Sequence, residues 1–92
     1  MISLIYALFK FKIVLQFRGV IGKNEKRFIK SVGEKLRAKR LSKNISQVLL
    51  SYDANIPVSQ IGRIERGEIN TTIGTLYKIC AALEINFKDL IE

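Results

Sequence analysis

The chain has no histidine and no tryptophan, and it holds a single cysteine, Cys80, and a single proline, Pro57. Without imidazoles or a second thiol, the usual means of holding a metal, activating a nucleophile or closing a disulfide are missing. An enzyme is therefore not expected, nor is a metal or a cofactor. A length of 92 residues leaves room for one domain but not for a large catalytic cleft. Acid is also scarce: 8 Asp and Glu face 16 Lys and Arg, a net charge of +8. That balance suits a polyanion such as DNA, RNA or an anionic membrane surface, although part of any such charge serves an ordinary solvated face. No long uncharged apolar run is present either. The opening stretch MISLIYALFKFKIVLQFR is interrupted by Lys10 and Lys12, so no membrane span is expected. Its charges follow the apolar run and no small-residue cleavage site appears, which is unlike a secretory signal. The expected location is the cytoplasm.

The excess charge is unevenly placed. Residues 1–45 carry twelve Lys and Arg against Glu25 and Glu34, or +10; residues 46–92 carry four against six acids, or −2. Within the first part, residues 1–24 read as an apolar extension and linker. Phe9, Phe11, Ile13, Leu15 and Phe17 alternate at the two-residue period of a strand. A lone strand needs a partner, most simply the same segment of a second subunit. The alternative is a mis-assigned start, with the working chain beginning near Asn24.

From about residue 25 the apolar period changes to that of a helix, and an all-α domain of five helices is expected over residues 25–92. Phe28, Val32 and Leu36, with Ile29, form the stripe of a first helix over about 25–42, while Lys26, Lys30, Lys35, Arg37 and Lys39 lie largely off it. Ser31 and Glu34 have capping-box spacing, which also allows a later start near Val32. Ser46 suits the N-cap of a short second helix with Leu49, Leu50 and Ala54 inward. Asn55 tolerates a left-handed turn, and Ile56 is expected beneath it. Pro57 opens a third helix in which Ile61 and Ile64 face the core, with Val58, Ser59, Gly62, Arg63 and Arg66 toward the other side. Gly67 stops it. Thr72 caps a fourth helix carrying Ile73, Leu76, Ile79, Cys80 and Leu83; Asn86 and Asp89 frame a short fifth with Phe87, Leu90 and Ile91.

The unit SQVLLSYDANIPVSQIGRIERG is thus helix, tight turn, helix, flanked by VGEKLRAKR, TLYKICAAL and NFKDLI. In Gln47, Leu50, Ala54, Asn55, Ile56, Ile61, Ile64, Glu65 and Gly67 it resembles the XRE family, the λ-repressor-like and Cro-like helix-turn-helix DNA-binding domain, over about residues 28–91. The resemblance implies that the third helix enters the DNA major groove. Val58, Ser59 and Arg63 then occupy the base-reading positions. Arg63 can bond guanine O6 and N7 together, an interaction worth about 1–3 kcal/mol of discrimination; Ser59 specifies less, and Val58 can meet a thymine methyl. Gln47 stands where the family bonds a phosphate and braces the recognition helix, and Lys43, Gln60 and Arg66 are further phosphate positions. Arg40 and Glu65 match a structural ion pair between the first and third helices. Gly62, Gly74 and Thr71 depart from the pattern and weaken helices or replace a frequent proline. Cys80 stands in for a small residue as an inert core thiol. Tyr52 and Tyr77 have no aromatic ladder around them and read as surface or packing residues.

The function implied is a DNA-binding transcriptional regulator, a repressor, acting as a homodimer on double-stranded DNA, because one short helix reads only a few base pairs. Two alternatives stand beside it. The same fold serves antitoxins that bind a toxin and repress their own operon, and the basic apolar extension could lie on a membrane surface.

Overall fold

The computed structural model describes residues 24–92. The expectations for the apolar extension, a strand or a mis-assigned start, therefore lie outside the described residues. Five helices follow one another and no strand occurs among the described residues: α1 over 24–42, α2 Gln47–Ala54, α3 Val58–Glu65, α4 Ile73–Leu83 and α5 Lys88–Ile91.

Helix α1 buries Val32, Leu36 and Arg40, three residues at successive spacings of four on one stripe, and leaves most of its lysines and arginines in solvent. It stops where Asn44 turns left-handed (φ 56°), and the N–H of Ile45 returns to the Arg40 carbonyl at 3.2 Å. The Ser46 hydroxyl then accepts the Leu49 N–H at 3.0 Å and caps α2. Asn55, at φ 55° and ψ 50°, ends α2, and Ile56 tucks under the turn at 6% exposure. The Ser51 hydroxyl donates to the Ile56 carbonyl at 2.7 Å, tying the turn to the helix before it. Pro57, φ −56°, stands immediately before the first residue of α3, where its missing N–H leaves no donor unpaired. At the far end Gly67 takes φ 70°, and the N–H of Glu68 closes on the Arg63 carbonyl at 2.9 Å.

The side chains that these turns bring together are fully buried: Leu36 from α1, Leu50 from α2, Ile61 from α3, Ile79 and Leu83 from α4 and Leu90 from α5. Each such burial contributes about 1.5–3 kcal/mol. Thr72 caps α4 by accepting the Thr75 N–H at 3.1 Å, and the Asn86 N–H donates to the Asp89 carboxylate at 3.2 Å ahead of α5. Cys80 is buried at the edge of this core, and desolvation, with the Asp89 charge behind it, raises its thiol pKa. A thiol so placed is a poor nucleophile.

Several residues fall on other faces than their spacing suggests. Leu49 is 47% exposed, because α2 is only two turns long and the line Leu50–Ala54 takes the inward side. Gly62 is buried, covered by the ends of Arg66 and Gln47. Phe28, Ile73, Phe87 and Ile91 are also exposed, Ile73 most of all, although each continues an inward stripe. Ile73 opens α4, Ile91 ends α5, Phe87 stands just before α5, and Phe28 lies in the second turn of α1. Phe28, Ile73 and Phe87 instead line an apolar concavity between α1, α4 and α5, and Ile73, Phe87 and Tyr77 line a second one beside it.

Candidate nucleic-acid interface

The start of α3 is open. No side chain caps it, Val58, Ser59 and Arg63 all face solvent, and its inward stripe of Ile61 and Ile64 is seated in the core. Ser59 and Arg63 are four residues apart and neighbour each other on successive turns, Val58 lies at the edge of the same outward side, and Ile61 and Ile64 lie opposite, so one helix presents the three proposed base-reading side chains away from the core. Gln60 is half-buried. Lys43 is exposed in the turn that leads from α1 to α2.

What holds α3 is a buried ionic network at its last turn. Arg40 Nε donates to Glu65 Oε2 at 2.7 Å and Nη2 to Oε1 at 2.9 Å, with the two residues only 6% and 4% exposed. The remaining nitrogen, Nη1, donates to the Ile45 carbonyl at 2.8 Å. Hydrogen bonding to Glu65 raises the pKa of the Arg40 guanidinium, against the opposing effect of burial. One residue of α1 thereby fixes both the turn that precedes α2 and the end of α3. Such a planar, bidentate pairing is available to arginine and not to lysine.

Gln47 joins this network. Its Nε2 donates to Glu65 Oε1 at 3.1 Å. One N–H of the amide is thus spent on bracing α3, and the second is left for another acceptor. The sequence resemblance carried the brace and the phosphate contact together without saying what the brace binds; here it binds the carboxylate already held by Arg40.

Arg66 lies one residue beyond α3, with Nε 2.9 Å from Glu68 Oε1 and Nη2 3.1 Å from Oε2. Hydrogen bonding to Glu68 raises the Arg66 pKa and that to Arg66 lowers the Glu68 pKa. The third nitrogen, Nη1, points elsewhere: it would lie 3.0 Å from a methyl placed on Gly62, and Gln47 Nε2 3.8 Å from the same point. Two donors therefore converge above the bare backbone of Gly62.

Together with the carboxylates of Glu34 and Glu65, Lys30 and Arg37 of α1 line the concavity that also contains Gln47 and Arg66. Their spacing of seven residues, two helical turns, is the signal that places them on one face. Lys35 and Lys39 line a different groove against α5. Gly33 explains how α1 comes so near: a Cβ there would strike the carbonyl oxygen of Ile64, and one at Gly67 would be 2.9 Å from Lys30 Cα. Among the described residues no cluster of potential metal ligands occurs, and no helix is long and apolar enough to cross a membrane.

Comparison with known proteins places this arrangement among others. The family model HTH_3, helix-turn-helix, matches residues 36–90. The control protein C.BamHI of Bacillus amyloliquefaciens is 39% identical over 61 residues, 65% of this chain and 75% of its own. The crystal structure of the restriction-modification controller protein C.AhdI of Aeromonas hydrophila superposes with a TM-score of 0.66 at 31% identity, covering 67% of this chain and 94% of the other. An HTH_3-family transcriptional regulator from Vibrio cholerae gives a TM-score of 0.68 at 31% identity over 71% of this chain and 36% of its own. None of the three is described as an antitoxin, and the expectation of a toxin partner finds no support among them.

Proposed function

Because the chain belongs to the HTH_3 helix-turn-helix family, we propose that it is a sequence-specific DNA-binding transcriptional regulator of the kind represented by restriction-modification controller proteins. The observation that carries this reading is the open N-terminal end of α3, locked at its other end by the buried Arg40–Glu65–Gln47 network. A helix that reads base edges must be held at a fixed angle, since hydrogen bonds to bases tolerate little displacement. Arg63, with Ser59 and Val58, supplies the base contacts. Gln47, Lys43, Gln60 and Arg66 supply phosphate contacts, and Lys30 and Arg37 extend the positive field beside them. Phosphate contacts set register and affinity, so a modest set of base-reading side chains is sufficient.

The same reading takes a second copy of the chain onto the apolar face of Ile73, Tyr77 and Phe87, residues that are 80%, 73% and 43% exposed. A face of this kind supports association, and two helices related by a twofold axis read two half-sites where one reads only a few base pairs. Repression and a cytoplasmic location belong to this reading as well. Fluorescence anisotropy with a random-sequence DNA duplex at two salt concentrations tests it. Binding at low salt that weakens steeply at higher salt is expected, whereas no binding at low salt contradicts it.

A further inference from the structure

Arg66 is offered to DNA with an anion already attached. Glu68 grips its Nε and Nη2 at 2.9 and 3.1 Å, and both side chains are about half in solvent, at 58% and 49% exposure. Only Nη1 remains outside the pair, over Gly62 and near Gln47 Nε2. A phosphate arriving between Gln47 and Arg66 finds one guanidinium nitrogen available and the two-point edge occupied by a carboxylate. Arginine binds phosphate best through two parallel N–H donors, so a full contact requires Glu68 to leave.

We propose that Glu68 is an internal competitor for the phosphate bound by Arg66 and Gln47, and that it holds the affinity for the DNA backbone below what the chain's basic residues would otherwise give. This rests on the DNA-binding reading above and concerns its tuning. The carboxylate serves no evident structural end. The pair is exposed, spans two residues of sequence and joins no second element, whereas α3 is already terminated by Gly67 and by the backbone N–H of Glu68 itself. Specific and random duplexes offer the same phosphates, so the competitor lowers the affinity for both.

The test compares wild type, Glu68→Gln, Arg66→Ala and the double variant for binding to a random-sequence duplex at low salt, with thermal melts as a control for folding. The expected result is a roughly two- to fivefold tighter Glu68→Gln protein, the range that breaking one exposed ion pair allows, and disappearance of that gain in the Arg66→Ala background. Glu68→Gln binding no tighter than wild type overturns the inference. So does an equal gain with Arg66 absent, which would mean general repulsion rather than competition. Wild type failing to bind at all would instead overturn the DNA-binding reading, and the two failures are distinct.

Discussion

Glu65 occupies the point where the binding surface and the folding energy meet. Its carboxylate accepts from Arg40 twice and from Gln47 once while lying almost wholly out of solvent. Removing one partner of such a pair leaves a charge in a site built for two, and costs about 3–5 kcal/mol. Glu65→Ala is therefore expected to lower stability to chemical denaturation by that amount, more than Glu68→Gln, whose pair is exposed. A loss below about 1 kcal/mol, typical of a surface substitution, would contradict the bracing role. The direction of the Arg40 shift fixes the pH dependence of the pair. A guanidinium pKa raised in the folded state contributes fully below its unfolded value and is lost only as pH climbs through the higher folded one. The arginine side of the lock therefore holds throughout neutral and mildly alkaline solution. Glu68 has the opposite sign. With its pKa lowered by Arg66, its competition persists above the ordinary carboxylate range and fades as pH falls through the lowered value.

At the scale of elements, α1 and α3 approach through glycine. Gly33 lies against the Ile64 and Glu65 carbonyls, so Gly33→Ala forces two helix backbones apart. A loss of about 1–3 kcal/mol is expected, read as a lower melting temperature. Gly62→Ala meets only the movable end of Arg66, and a gain of helix propensity of up to about 1 kcal/mol offsets that contact. Equal melting temperatures for the two variants would contradict this account of the contact. The elements themselves were legible in the sequence where local chemistry decides them. Ser46, Asn55, Gly67 and Thr72 each end or begin a helix because a hydroxyl or a left-handed backbone is needed there, and they do so in the structure. The ion pair of Arg40 and Glu65 was legible only through the family resemblance, since nothing in a spacing of twenty-five residues predicts contact. Periodicity misled at Leu49 and Ile73, because apolar residues in a short helix or at a helix end fit the stripe without reaching the core, and at Phe28, which continues the α1 stripe past the core onto an open concavity. The Arg66–Glu68 pair and the grouping of Lys30 and Arg37 with Gln47 were not legible. The first depends on the turn at Gly67, and the second on which face of α1 meets α3.

For the molecule as a whole, charge and apolar surface divide the labour. The basic residues gather in the first half of the sequence, and the fold sets two of them, Lys30 and Arg37, beside Gln47 and Arg66. In the proposed reading the largely polar outer face of α3 is relieved of supplying attraction and left to discriminate. The apolar face of Ile73, Tyr77 and Phe87 lies on α4 and the entrance to α5, away from the residues of α3 that meet DNA in this reading. A second copy can cover that face while both α3 helices remain free for adjacent turns of the groove. The central claim, that α3 reads sequence, is tested most directly by selecting bound sequences from a random DNA duplex pool with wild type and with Arg63→Ala. The account predicts enrichment by wild type of two inverted half-sites centred about 34–36 Å apart, with a guanine in each half whose preference is lost in Arg63→Ala. A pool that emerges without enrichment, or an Arg63→Ala protein that selects the same bases as wild type, would contradict it.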